Sequence, residues 1–286
     1  MNGIKRGMIA FPESLALLAM VSNQLGAAIA KSLFNDIDPI GMVCLRTGLG
    51  ALFLLAFYRP NLRQYSASDY RLLIAFGAVL GALSYCFYAA LALLPIGIAV
   101  TLEFLGPLGV AIATSRRWLD GIWVLLAGMG IVLLSPLAGG TALNPVGVMM
   151  ALLAAVFWGT YIVFSNQVGH RFAGGEGLAL SLAVASLLLL PLGWAASGSA
   201  LLQPSVLVVG GVVALLSSVV LYSLEMEALR HLPMTVFGVL MSLEPAIGAV
   251  LAFWLLGETL TLQMMAAIAL VAIAAAGSSR FKPFKT

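Results

Sequence analysis

Apolar runs of about 20 residues, separated by a few charged or turn-forming positions, fill almost the whole chain, and a run of that length is what a helix needs to cross a bilayer. They fall near 13–31, 38–58, 70–92, 96–115, 118–136, 144–166, 177–196, 205–228, 233–255 and 260–279. With 62% hydrophobic and only 9% charged residues the chain departs far from a soluble domain, in which about 25% are charged. The pattern predicts an all-α polytopic membrane protein of ten transmembrane helices. It leaves no length for an extramembrane catalytic domain.

The plan is written twice. Leu94-Pro95, then an apolar run holding Glu103, then Pro107 returns 138 residues later as Leu232-Pro233, an apolar run and Glu244-Pro245. A proline inside a helix cannot bond the carbonyl four residues back, so Pro107 frees the carbonyl of Glu103 and Pro245 that of Met241. The residue before a proline is also pushed from helical geometry, which predicts a kink at Glu244. Interrupted spans at matching places in two halves point to a transport site at mid-membrane. The expected division is a first five-helix repeat over 1–138 and a second over 139–286, joined by the uncharged stretch around 139–144. An odd number of spans per repeat inverts the second copy.

Charge sets the orientation. Lys5, Arg6, Arg59, Arg63, Arg71, Arg116, Arg117, Arg171, Arg230, Arg280, Lys282 and Lys285 fall on one predicted side, whereas the other receives Lys31 and Arg46 lies within the second run. Cationic loops stay in the cytoplasm, so both termini are expected there. Asp120 maps onto Glu258 at the same 138 spacing, yet only Asp120 has arginines beside it, as inversion requires. The first run, with Lys5 and Arg6 ahead of it and Ala28-Ile29-Ala30 near its end, imitates a cleavable signal. Ala16-Leu17-Leu18-Ala19 recurs as Ala151-Leu152-Leu153-Ala154, so it reads instead as the opening helix of the repeat.

An ionisable group at the bilayer centre costs at least about 2.5 kcal/mol on insertion scales and needs a reason to be there. Arg46, Glu103, Glu225 and Glu244 are the four. Arg46 either pairs with one of the glutamates and locks helices together or offers its fork to a substrate carboxylate. Glu103, beside a freed carbonyl, suits a substrate ammonium, and Glu103 and Glu244 are the candidates for proton coupling. Glu227 is expected in solvent near Arg230. Asn23, Gln24, Tyr85, Tyr88, Trp158, Tyr161 and Tyr222 supply polar tips at interior positions, where packing or an interface belt is the competing reading.

Other chemistry is not supported. Cys44 and Cys86 sit inside predicted spans and are expected to pack, His170 and His231 lie at span ends beside arginines, and no nucleotide, metalloprotease, hydrolase or calcium-loop motif occurs. No cofactor, metal or nucleic acid is expected despite the net charge of +3, since the basic residues are spread over span ends. The many glycines, as in Gly77-x-x-x-Gly81, suit close helix packing.

With these features in hand the chain resembles, over its full length, the EamA-type transporters of the drug/metabolite transporter superfamily, ten-helix proteins of two inverted repeats. The stretches 97–107, 223–229 and 241–246 look like those of bacterial inner-membrane threonine/homoserine exporters, and 256–261 matches an element common to the superfamily, from which 115–120 departs. The resemblance implies secondary active efflux of small amino acids against proton entry; relatives that carry aromatic amino acids, purines, sugars or drugs keep other cargoes open. Monomer and dimer both stay open. A channel would need continuous pore polarity, and an intramembrane enzyme a nucleophile or metal cluster that the spans lack.

Overall fold

The computed structural model describes residues 12–30, 33, 36–94, 96–115, 117–134, 143–256 and 262–280, and all regular structure among them is helical. Pro95, Arg116, most of the 139–144 linker, Glu258 and the lysines at both ends, each singled out above, lie outside the described residues. The helices are α1 (Pro12–Ala30), α2 (Pro39–Tyr58), α3 (Ala67–Leu91), α4 (Ile96–Glu103), α5 (Leu105–Ala113), α6 (Trp118–Leu134), α7 (Pro145–Arg171), α8 (Glu176–Ser197), α9 (Pro204–Ala214), α10 (Leu221–His231), α11 (Met234–Met241), α12 (Leu243–Leu256) and α13 (Leu262–Arg280).

Their starts follow from local chemistry. Asp38 and Asn144 cap α2 and α7 by accepting from backbone N–H groups of the first turn, and each is followed by a proline whose missing N–H costs nothing there. Ser66 and Asp69 form a reciprocal capping box on α3. Among the described residues six stretches are long and apolar enough to cross a membrane: Pro12–Ala30, Pro39–Tyr58, Ala67–Leu91, Pro145–Arg171, Glu176–Leu202 and Pro204–His231. Shorter apolar helices occupy Ile98–Ala113, Trp118–Leu133, Met234–Gly248 and Met265–Ser278.

Two interruptions match. The first separates α4 from α5 at Phe104 and the second α11 from α12 at Ser242, each three residues before a proline and 138 residues apart. The second break therefore falls at Ser242 rather than at Glu244 as the residue-before-proline rule predicts. Restarting the helix at Leu243 puts Pro245 in a first turn, where the N–H that proline lacks would have had no intrahelical partner, and Glu244 stays helical. A third irregularity was not predicted: residues Leu215–Val220, between α9 and α10, form a π turn.

The closest helix pairings join the two halves of the chain: α2 with α8, α3 with α7 and α8, α6 with α13, α1 with α10, and α5 with α11. The main core between them includes Phe76, Tyr161, Leu182, Leu229, Phe237 and Met241, all fully buried. Cys44 and Cys86 are buried and free, in keeping with packing roles. At one end of the bundle Arg171 meets Asp69 at 2.5 Å, Tyr65 donates to Glu176, and Arg230 binds Glu227 together with the carbonyls of Gly169, Phe172 and Gly174. Burial first, and the Glu176 carboxylate second, push the Tyr65 phenol up, so it remains a donor at ordinary pH.

The broken helices cross neighbours at backbone distance. A Cβ on Gly106 would collide with the Ala155 carbonyl of α7, whereas one on Gly109, a turn later, would meet nothing within 4 Å. Gly106→Ala should lower stability by about 1–3 kcal/mol, and Gly109→Ala should not. Thermal unfolding in detergent checks this, and equal midpoints for the two variants would contradict the close crossing.

Candidate functional site

A cavity of about 270 Å³ lies where the interruptions meet the π turn. Asn23 and Gln24 reach it from α1, Arg46 from α2, Tyr88 from α3, and Glu103 from the last residue of α4. Trp158 and Tyr161 come from α7, Tyr222 and Glu225 from α10, and Glu244 with Pro245 from the first turn of α12. Residues far apart in sequence and proposed from polarity alone thus share one wall. Tyr85 is placed elsewhere: it is 39% exposed and does not line the cavity. On α3 the inward residues are Leu83, Ser84, Phe87 and Tyr88, and at about 100° per residue Tyr85 turns away from them. Pro107 is buried and also stands outside the lining, three residues after the break at Phe104.

Each ionisable group has a different setting. Arg46 donates from Nη1 to the Ser217 carbonyl at 2.7 Å, while its buried Nε has no hydrogen-bond partner among the described residues. Among the described residues no carboxylate lies within 4 Å of it, so the helix-locking ion pair is not formed. Tyr222, Tyr88 and Glu103 are near enough to interact with its charge. Glu103 is half-buried, accepts no hydrogen bond from the described residues, and interacts electrostatically with Glu244 and Arg46. Beside it Phe104 packs edge-on against Trp158, ring centres 4.8 Å apart.

Glu244 is held. Asn23 donates from Nδ2 to its Oε1 at 2.7 Å, and Gln24 donates from Nε2 to its backbone carbonyl at 3.2 Å. Glu225 is 4% exposed and accepts from the Tyr161 hydroxyl at 2.6 Å. Glu227, expected in solvent, pairs with Arg230 at 2.5 Å and with His231 at 3.2 Å, away from the cavity.

The π turn supplies what the sequence reading missed. A wider turn leaves carbonyls without their usual i→i+4 partners, and two of them are used from other helices: Leu216 accepts from Ser22 at 2.8 Å and Ser217 accepts from Arg46. Gly26 and Gly50 let α1 and α2 approach there, since a Cβ on either would strike Ser217 or Ser218. The adjacent Ser217-Ser218 pair inside an apolar run was the available signal.

The lining of the cavity thus combines a guanidinium, a carboxylate without a hydrogen-bonded partner among the described residues, and two helix ends. The family model for EamA-like transporters matches residues 10–135 and again 145–280. The chain belongs to the EamA-like transporter family. It is therefore a multi-pass membrane transporter rather than an enzyme. It is 40% identical over 279 residues to the threonine/homoserine exporter RhtA of Escherichia coli (strain K12), covering 97% of this chain and 94% of that one. The threonine/homoserine exporter RhtA of Salmonella typhimurium (strain LT2) is 41% identical over 263 residues, 91% of this chain and 89% of its own. A crystal structure only 19% identical superposes with a TM-score of 0.75 over 93% of this chain and 96% of that one, a likeness of fold. The cavity lies at the meeting of two interrupted helices, the kind of place where membrane transporters free backbone groups for solutes.

Proposed function

We propose that the protein exports small zwitterionic amino acids, threonine and homoserine foremost, from the cytoplasm across the bacterial inner membrane in exchange for protons. The observation that carries this reading is the coexistence, around one cavity, of an Arg46 with an unused Nε and a Glu103 without a hydrogen-bonded partner among the described residues. A zwitterion answers both at once: its carboxylate takes the guanidinium and the positive start of α12, its ammonium takes Glu103 and the carbonyl end of α4. Identity of 40% to exporters named for threonine and homoserine supports the cargo. Overproduction should raise the tolerance of cells to high external threonine or homoserine and lower their internal pools. Unchanged pools with the protein present in the membrane would remove the proposal.

The reading includes ten spans arranged as two inverted repeats with both termini in the cytoplasm. The α4/α5 and α11/α12 stretches then each make one span, as do α9 and α10 together. It is supported by the equivalent breaks, by the two separate family matches, and by the pairing of α2 with its counterpart 138 residues on, α8. Reporter fusions at Thr286 should sit inside and those in the 139–144 linker outside; the opposite result at either place contradicts inversion.

A further inference from the structure

Three carboxyl side chains surround the cavity and one guanidinium faces them, so the site needs protons to avoid excess negative charge even with a neutral zwitterion bound. Their settings separate them. Glu103 is open to the cavity, Glu244 is engaged by an amide, and Glu225 is sealed at the edge with a single hydrogen bond, from Tyr161. We propose that Glu225, positioned by Tyr161, is the proton carrier of the exchange and is distinct from the groups that hold the amino acid. This assignment rests on the reading of the protein as a proton-coupled amino-acid exporter.

The surroundings of Glu225 on every packed element favour this role. From α7 it is faced by Tyr161, itself 1% exposed, and from its own helix by Tyr222, whose ring centre is 5.7 Å from that of Tyr161. From α12 it senses Glu244, a like charge. α1 brings the neutral amides Asn23 and Gln24 and has one acid, Glu13, in its first turn, and α11 has no ionisable residue. The cations nearest along the chain, Arg230 and His231, are committed to Glu227, and Arg171 to Asp69. An ionised Glu225 would therefore stand with no cation within 4 Å among the described residues, whereas a protonated one is neutral and keeps its tyrosine contact.

Glu225 borders the cavity, while Met226, Leu229, Val168 and Phe172, on the stretches that run toward Arg171 and Arg230, are buried in the core. A proton on Glu225 therefore faces the cavity in this conformation, and its delivery to the opposite side requires the helices to rearrange, as antiport demands. Tyr161 also links the carrier to the solute: Trp158, one turn before it on α7, packs on Phe104 beside Glu103. A solute at Glu103 and a proton at Glu225 thus press on the same helix.

The test uses the purified full chain in liposomes, with radiolabelled threonine and an internal pH dye. Glu225→Gln should abolish stimulation of transport by a pH gradient and the threonine-dependent proton signal, with gradient-free threonine counterflow within about twofold of the unaltered protein. Tyr161→Phe should keep counterflow and change the pH profile of coupled transport, which a purely structural tyrosine would not do. Persistent threonine-dependent proton movement in Glu225→Gln overturns the assignment, as does loss of counterflow together with coupling. No threonine counterflow by the unaltered protein, a measurement needing no variant, would overturn the amino-acid reading itself and the assignment with it.

Discussion

Glu103→Gln is expected to lower threonine transport by roughly thirtyfold or more while leaving insertion and unfolding temperature unchanged. The reason is the loss of one charge-assisted contact in a desolvated site, worth about 2 kcal/mol or more. The side chain has no structural hydrogen bond among the described residues to forfeit, so the amide keeps the packing and removes only the charge. Glu244→Gln provides the contrast, because a glutamine Oε1 still accepts from Asn23, and its transport should fall by a much smaller factor. Initial rates of counterflow in liposomes distinguish the two. A Glu103→Gln protein with unaltered rates from acid to neutral pH would exclude Glu103 from the solute site.

The all-helical class was legible because bilayer thickness imposes long apolar runs, and the two matching helix breaks because their sequence recurs at one spacing. Proline alone was not the decisive sign: Pro191 lies inside α8, which continues through it, whereas Pro107 and Pro245 follow real breaks. What distinguished the pair was their recurrence at one spacing with an acid nearby. The lining of the cavity was legible in kind, since a charge within an apolar run is costly enough to demand a special setting, and Arg46, Glu103, Glu225 and Glu244 all border it.

Which face a polar residue takes was another matter. In helices apolar on all sides there is no amphipathic stripe to orient Tyr85 against Tyr88, and only packing decides that Tyr88 looks inward and Tyr85 outward. The π turn was equally hidden, because it depends on Ser22 and Arg46 taking up carbonyls from helices about 170 to 190 residues distant in the chain. Sequence named Arg46 without revealing that its first partner is a backbone carbonyl and that the ion pair it was weighed against is absent among the described residues.

That carbonyl makes Arg46 the most informative position after Glu103. Arg46→Ala would leave the Ser217 carbonyl without its donor, a cost of about 1–3 kcal/mol in stability, so loss of transport there would mix folding with binding. Arg46→Lys is the better variant, since one ammonium can satisfy Ser217 or meet a carboxylate but lacks the fork that does both. Its half-saturating threonine concentration is expected to rise about tenfold or more, with the unfolding midpoint nearly unchanged. The decisive comparison is with threoninol, which keeps the ammonium and the hydroxyethyl side chain but has a neutral hydroxymethyl group where threonine has its carboxylate. The unaltered protein should prefer threonine strongly as a competitor of labelled threonine, and Arg46→Lys should compress that preference. If Arg46 serves only to hold the π turn, both competitors would weaken by the same factor and the preference would survive, which would take the guanidinium out of solute recognition and leave Glu103 to anchor the cargo with the helix ends.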